Sequence, residues 1–134
     1  MRKKRGVSLL EILIALGVIA VAALGILALF IQGLRFTSRS KESVKAAHFG
    51  QQFLESVKNF DRSSLPDTSN FDGFSDPPGP SGFPPPPYPS IISQGRTFTF
   101  QVRTEVVQGN VISVQTRVFW NETESKLFEV YVRK

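Results

Sequence analysis

The sequence predicts an α+β fold in which one long N-terminal helix packs on a three-stranded antiparallel sheet. Three observations carry this prediction. The stretch from Val7 to about Phe60 contains no proline, all nine prolines lie between Pro66 and Pro89, and residues 96–133 alternate apolar and polar side chains in three runs. Such alternation is typical of half-buried strands, and a long segment without proline is compatible with one helix.

The first half of the predicted helix is apolar enough to cross a membrane. Residues 7–31 contain sixteen Val, Leu, Ile or Phe residues, which together favour insertion by about 5–10 kcal/mol. We therefore predict a transmembrane helix over residues 7–33. Gly17, Gly25 and Gly33 recur every eight residues. Two interpretations stay open, because glycines either permit close contact between membrane helices or are neutral filler in them.

The second half of the helix, to about residue 60, is amphipathic. Apolar side chains recur there at helical spacing and predict a stripe that packs on the sheet: Val44, Ala47, Leu54 and Val57, widened by Ala46, Phe49 and Phe53. His48 is the single histidine of the chain. We assign it no catalytic or metal role.

Residues 61–95 are predicted to form a proline-rich loop without a helix or a central strand. The run Pro84–Pro87 favours an extended polyproline conformation. Aromatic residues are spaced through the loop, namely Phe71, Phe74, Phe83 and Tyr88. They either fasten the loop to the globular part or form an exposed adhesive surface. Four aspartates also lie there, but their spacing matches no calcium loop.

The antiparallel sheet is predicted over residues 96–133. The first strand covers 98–106, the second 112–120 and the third 128–132, each with apolar residues or threonine at even positions. Gln108-Gly109-Asn110 is typical of a hairpin turn, and residues 121–125 form the second turn. Three strands packed on a helix can be independently stable.

Charge and composition exclude several classes of function. The formal net charge is +5, but four basic residues lie in the first five positions. Without them the chain has twelve basic and eleven acidic residues and is nearly neutral, so we predict no nucleic-acid site. The chain has no cysteine, which excludes disulfides and thiolate metal sites. No catalytic, cofactor-binding or metal-binding constellation is recognisable, and we expect no enzyme activity and no cofactor.

The N-terminus carries the most specific pattern. A basic leader, Met1–Arg5, precedes Gly6, and Glu11 is the only charge in the apolar stretch that follows. This arrangement resembles the signal of type IV prepilins and type II secretion pseudopilins. The resemblance implies that a membrane peptidase removes residues 1–6 by cutting after Gly6 and that the new N-terminus, Val7, is methylated. The family usually has phenylalanine where this chain has Val7.

Glu11 needs a physical explanation. An ionisable side chain in a membrane helix costs about 2.5–3.5 kcal/mol at the helix centre, and buried charges are normally paired. The nearest cation after cleavage is the α-amine of Val7, within the same chain or in a neighbour. The family resemblance implies the neighbour, so that Glu11 sets the register of assembly.

The order of leader, long helix, variable loop and antiparallel sheet resembles type IV pilin-like proteins over the whole chain. It is closer to minor pilins and type II secretion pseudopilins than to major pilins. The resemblance implies a pilin-like fold with a globular domain over residues 34–134, and a subunit of a pilus or pseudopilus that polymerises through its N-terminal helix. The implied partners are prepilin peptidase/methyltransferase, other pilin or pseudopilin subunits, the inner-membrane assembly platform and the lipid bilayer.

The implied location is the bacterial inner membrane, single-pass with the N-terminus cytoplasmic, followed by assembly into a periplasmic or surface filament. Counting basic residues on the two flanks of the apolar segment gives a tie, so the resemblance decides this orientation. An ordinary secretory signal is disfavoured because the apolar run is too long. The alternative function is a single-pass, membrane-tethered binding module that does not polymerise.

Overall fold

A computed structural model describes residues 8–134 and confirms the α+β arrangement of one long helix and an antiparallel sheet. The elements are α1 (Leu9–Lys58), a 3-10 turn (Arg62–Ser64), and strands β1 (Ser69–Asp72), β2 (Ser90–Ser93), β3 (Arg96–Gln108), β4 (Val111–Phe119) and β5 (Ser125–Arg133). The chain divides into two compact units, Met1–Ser40 and Lys41–Lys134. We call the second the globular unit. The predicted domain boundaries at residues 6 and 33 stay predictions.

Helix α1 contains 50 residues, which corresponds to a length of about 75 Å. It begins after Ser8, whose carbonyl accepts hydrogen bonds from the amides of Glu11 (3.0 Å) and Ile12 (3.3 Å). It ends at Lys58, and the amides of Asn59 and Phe60 donate to the carbonyls of Glu55 (3.1 Å) and Val57 (3.2 Å), before the chain enters the 3-10 turn. The Asp61 carboxylate caps that turn by accepting hydrogen bonds from the Ser63 hydroxyl at 2.8 Å and the Ser63 amide at 3.1 Å. These two bonds lower the pKa of Asp61 below its ordinary value.

The sheet has five strands, so the predicted number of three was wrong. Its order is β1-β3-β4-β5, and β2 also pairs with β3. β1 pairs with residues 101–104 of β3 and β2 with residues 96–99, so the two short strands follow one another along the same edge. The physical reason is that β3 is 13 residues long and its amides on that edge need partners. Most of the prolines lie between β1 and β2, which keeps them out of the ladder.

The two long hairpins follow the predicted alternation closely. β3 and β4 pair in register from Thr99↔Phe119 to Val106↔Ile112, with a bulge between Val106 and Gln108. Gly109 occupies the turn at φ 55°, a conformation that glycine adopts without steric cost. β4 and β5 pair from Val111↔Arg133 to Phe119↔Ser125.

The core lies between α1 and one face of the sheet. It contains buried side chains from the helix and all three long strands, including Phe53, Val57, Phe98, Phe100, Val102, Ile112, Val114, Val118 and Val132. Phe53 and Phe100 contact each other with ring centroids 5.6 Å apart. The helix therefore uses its apolar stripe against the sheet, as its periodicity predicts.

The centre of that stripe differs from the prediction. The helix buries Ala46, Gly50, Phe53 and Val57, whereas Val44, placed in the predicted stripe, is 66% exposed. The reason is the close approach at Gly50, where a Cβ atom would clash with the ring of Phe128 from β5. A glycine is thus part of the contact surface because it has no side chain.

Candidate functional site

The predicted site has three residues, of which the structure describes one. Gly6 and Val7 lie outside residues 8–134. Glu11 lies in the first turn of α1 and is exposed. Its side chain makes no hydrogen bond or ion pair with any other described residue. Its proposed role in assembly stays a prediction, and the carboxylate is accessible for a partner from outside this part of the chain.

The surface around Glu11 is apolar on all sides. Every residue from 8 to 41 is exposed, and α1 contains an 18-residue window of mean hydropathy 3.0 with none of its residues buried. By length and composition this helix can cross a membrane. Large side chains such as Leu9, Ile26 and Phe36 are 77%, 69% and 76% exposed. A surface of this kind is stable in lipid or against other apolar helices.

The three glycines of this segment leave space on the helix surface. A Cβ atom at Gly17, Gly25 or Gly33 would meet no atom within 4 Å. Gly33 lies in a shallow apolar groove with Ile26, Leu29, Phe30, Leu34 and Thr37, and its carbonyl accepts a hydrogen bond from the Thr37 hydroxyl at 2.9 Å. The helix continues without a break through all three glycines.

The proline-rich segment is folded onto the globular unit. Phe83 is fully buried and Tyr88 is 6% exposed. The Phe83 ring packs edge-on against Phe60 (5.6 Å) and Phe71 (5.8 Å). The Tyr88 hydroxyl donates to the Asp76 carbonyl at 2.6 Å. Burial, with the nearby charges of Asp76 and Asp72, raises the pKa of Tyr88.

Of the two interpretations of the loop aromatics, fastening therefore applies to Phe71, Phe83 and Tyr88. Phe74 differs, because it is 64% exposed. The aspartates of this segment form turns: the Phe74 amide donates to Asp72 at 3.2 Å, and the Asp72 amide donates to Asp76 at 3.0 Å. Among the described residues no group of three His, Asp or Glu side chains is arranged to bind a metal ion, and His48 is exposed.

Sequence reasoning missed a groove on the face of the sheet that points away from α1, which we call the outer face. The groove has a volume of about 220 Å³ and is lined by Asn70, Gln101, Val102, Arg103, Gln115, Arg117 and Leu127. From the sequence, the polar positions of β3 and β4 served only as evidence for alternating strands. No local signal in the sequence indicates it, because the pairing of Arg103 and Arg117 with glutamines depends on the register between the two strands.

Comparison with protein families identifies the N-terminal segment. Residues 1–27 match the family described as "Prokaryotic N-terminal methylation motif". The chain carries a type IV pilin-like prepilin signal. This motif marks a type IV pilin-type precursor that is processed by prepilin peptidase and, with the long apolar helix, indicates membrane anchoring. It covers about a fifth of the chain and leaves major and minor pilins undistinguished. Comparisons with curated proteins and with solved structures gave no significant match.

Proposed function

We propose that this protein is a subunit of a type IV pilus or a type II secretion pseudopilus and that it polymerises through its N-terminal helix. The observation that carries the proposal is the combination of a prepilin-type signal with a helix that is exposed over residues 8–41 and apolar over residues 9–31 except for Glu11. The globular unit has a core of its own. The part of α1 over residues 8–41 contributes no side chain to that core, and its apolar surface needs lipid or other helices as partners.

Glu11 gives this assembly a register. In a bilayer the carboxylate is an ionisable group in an apolar segment, with a cost of about 2.5–3.5 kcal/mol at the centre and less near the end of a helix. Cleavage after Gly6 creates an ammonium group at Val7. We propose that Glu11 of one subunit accepts the methylated Val7 amine of a neighbour. The charge is then paired in the filament, and only one axial arrangement of the helices achieves this.

The apolar surface makes the exchange between membrane and filament feasible. Before assembly the helix contacts lipid, and in the filament it contacts other helices, so the apolar area removed from water is similar in both states. Association then depends on close packing and on polar pairs. Gly17, Gly25 and Gly33 permit such close packing because no atom lies near their missing side chains.

We also propose where the subunit is located and which partners it has. The subunit resides in the bacterial inner membrane with a cytoplasmic N-terminus, and the globular unit is translocated. Its partners are prepilin peptidase, other pilin or pseudopilin subunits and the assembly platform. We assign it no catalytic activity, because a filament subunit of this kind acts as a structural component.

The test is the N-terminus of the native protein in sheared filaments. We expect an intact mass that begins at a methylated Val7. In a Gly6→Leu variant we expect the leader to remain, with loss from the filament fraction. An unprocessed Met1 in wild-type protein that stays in the membrane fraction would instead support the tethered binding module.

A further inference from the structure

We propose that the outer face of the sheet binds an acidic saccharide, that is, a sugar chain with carboxylate groups at intervals. This function is separate from polymerisation and is located in the globular unit. The evidence is the juxtaposition of two arginines, three amide side chains and an aromatic pair, of which one ring is exposed, on this one face.

The two arginines lie on neighbouring strands, one row apart. Arg103 of β3 is opposite Gln115 of β4, and Arg117 of β4 is opposite Gln101 of β3. Such diagonal neighbours are typically about 7–8 Å apart, and somewhat closer at their Cβ atoms. The Arg117 side chain makes no hydrogen bond or ion pair with another described residue. Arg103 approaches Glu105 only at 3.6 Å, and both side chains are about 60% exposed. A pair of this kind is weak, so both guanidinium groups can bind a carboxylate by donating two hydrogen bonds each, in the bidentate arrangement that arginine favours.

The amides between the arginines are oriented by acids at the rim. Gln101 donates one N–H to Asp72 at 3.3 Å, and Gln115 donates one to Glu129 at 3.2 Å. Each amide keeps a second N–H and its carbonyl oxygen for another partner. A sugar hydroxyl both donates and accepts hydrogen bonds, as does an amide. The Asn70 side chain, opposite Arg103 on β1, has no hydrogen bond within residues 8–134 and adds a third such group.

An aromatic pair lies at one end of the groove. Phe119 is two residues from Arg117 on β4 and therefore on the same face. The Phe74 ring packs edge-on against it with centroids 5.7 Å apart and is 64% exposed. An exposed aromatic surface can cover the apolar C–H face of a sugar ring. The polar groove thus continues into an apolar platform.

The charge of the outer face favours a sparsely charged ligand over a nucleic acid. Among the described strand residues, Arg103, Arg117 and Arg133 lie on this face with Asp72, Glu105 and Glu129, and the charges balance. The Glu129 carboxylate accepts bonds from Ser113 (2.6 Å) and Gln115, which lower its pKa and keep it ionised. Nucleic-acid sites depend on an excess of positive charge that neutralises several phosphates. A protein partner is disfavoured because interface cores are rich in apolar and aromatic anchors. Among the described groove residues only Leu127 has an apolar side chain on this face, because the Val102 side chain is buried in the core.

The experiment is isothermal titration of the full mature chain in lipid nanodiscs. The probes are trigalacturonate, its neutral methyl ester, triglutamate and trithymidylate. We expect trigalacturonate to bind and the methyl ester to bind about tenfold more weakly, because the arginine–carboxylate contacts are lost. Arg117→Gln should lower the affinity for trigalacturonate about tenfold, and Arg103→Gln should act in the same direction.

Matched controls separate the groove from general charge and apolarity. Arg133→Gln removes the same charge from the same face outside the groove and should leave the affinity unchanged. Phe74→Ala should weaken binding several-fold, whereas Ile92→Ala, at a residue 74% exposed, should not. The proposal is overturned if trigalacturonate gives no binding heat at millimolar concentration, if Arg117→Gln loses no more affinity than Arg133→Gln, or if triglutamate or trithymidylate binds more tightly. Equal thermal unfolding of all variants excludes misfolding as a cause.

Discussion

The two parts of helix α1 differ in what covers them. From residue 41 to its end the helix buries Ala46, Gly50, Phe53 and Val57 against the sheet, whereas residues 8–41 are exposed throughout. Both parts have the same backbone geometry and a large apolar surface. The comparison teaches that the C-terminal part gets its partner from its own chain, and that the N-terminal part needs lipid or other helices. Substitutions that act on one part and spare the other test this difference.

Removing a core ring from the C-terminal part should have the largest effect. Phe53 is fully buried and packs on Phe100, so Phe53→Ala should lower the free energy of unfolding by about 3–5 kcal/mol. Phe36→Ala is the matched control, because the same side chain is 76% exposed in the N-terminal part. Its effect should be within about 0.5 kcal/mol. Urea unfolding followed by the fluorescence of Trp120, the only tryptophan, measures both; equal effects would contradict the comparison.

Adding a methyl group at the helix glycines should distinguish the parts again. In Gly50→Ala the new Cβ meets the Phe128 ring. Overpacking costs about 1–3 kcal/mol, of which the better helix propensity of alanine offsets about 1 kcal/mol. We expect a net loss of stability at Gly50. Gly25→Ala has open space around it and should not destabilise the globular unit. A stable Gly50→Ala variant would show that Phe128 moves away freely.

Replacing the buried threonines of the sheet by valine should change the stability of the globular unit by a smaller amount, with opposite signs at the two positions. Thr116 is fully buried and its hydroxyl has no hydrogen-bond partner among residues 8–134, so Thr116→Val should stabilise the globular unit by about 1 kcal/mol. Thr104 is equally buried, but its hydroxyl bonds to Ser69 at 2.8 Å. Thr104→Val should therefore destabilise the unit. Thermal unfolding of the two variants measures both signs, and a shift in the same direction for both would refute the explanation.

Changing Glu129 should have the smallest effect, and it concerns how much stability is lost at acidic pH. Hydrogen bonds from Ser113 and Gln115 lower the pKa of Glu129 from its ordinary value of 4.5. Its contribution to stability is complete above that ordinary value and is lost as the pH falls through the lowered pKa of the folded state. Glu129→Gln should therefore reduce the difference in melting temperature between neutral and acidic pH. Glu55→Gln, at an exposed carboxylate without a side-chain hydrogen bond within residues 8–134, should leave it unchanged.

Local patterns predicted most of the fold. The apolar run and the lack of proline indicated α1, and the period-two alternation indicated β3, β4 and β5. The short strands β1 and β2 were not predicted, because they depend on the free edge of β3 and not on their own sequences. The centre of the helix stripe was wrong for the same reason: Gly50 becomes a contact only when Phe128 of β5 lies over it.

The N-terminal site was predictable from the sequence, whereas the groove on the outer face was not. Gly6, Val7 and Glu11 are recognisable because all three lie within six consecutive residues of the sequence. The groove around Arg103 and Arg117 was missed because it requires the register between two strands. In sequence these arginines are simply polar residues at alternating positions. A contact that joins distant residues has no local signature.

Filament incorporation of Glu11→Gln tests the central claim most directly. The same charge is removed by Glu55→Gln at the other end of the helix, which serves as the control. We expect both variants to be processed to a methylated Val7 and to reach the membrane. Glu11→Gln should be depleted in sheared filaments about tenfold, equivalent to about 1.4 kcal/mol, while Glu55→Gln should be present at the wild-type level. Equal incorporation of the two variants would contradict the pairing of Glu11 with a neighbour's amine.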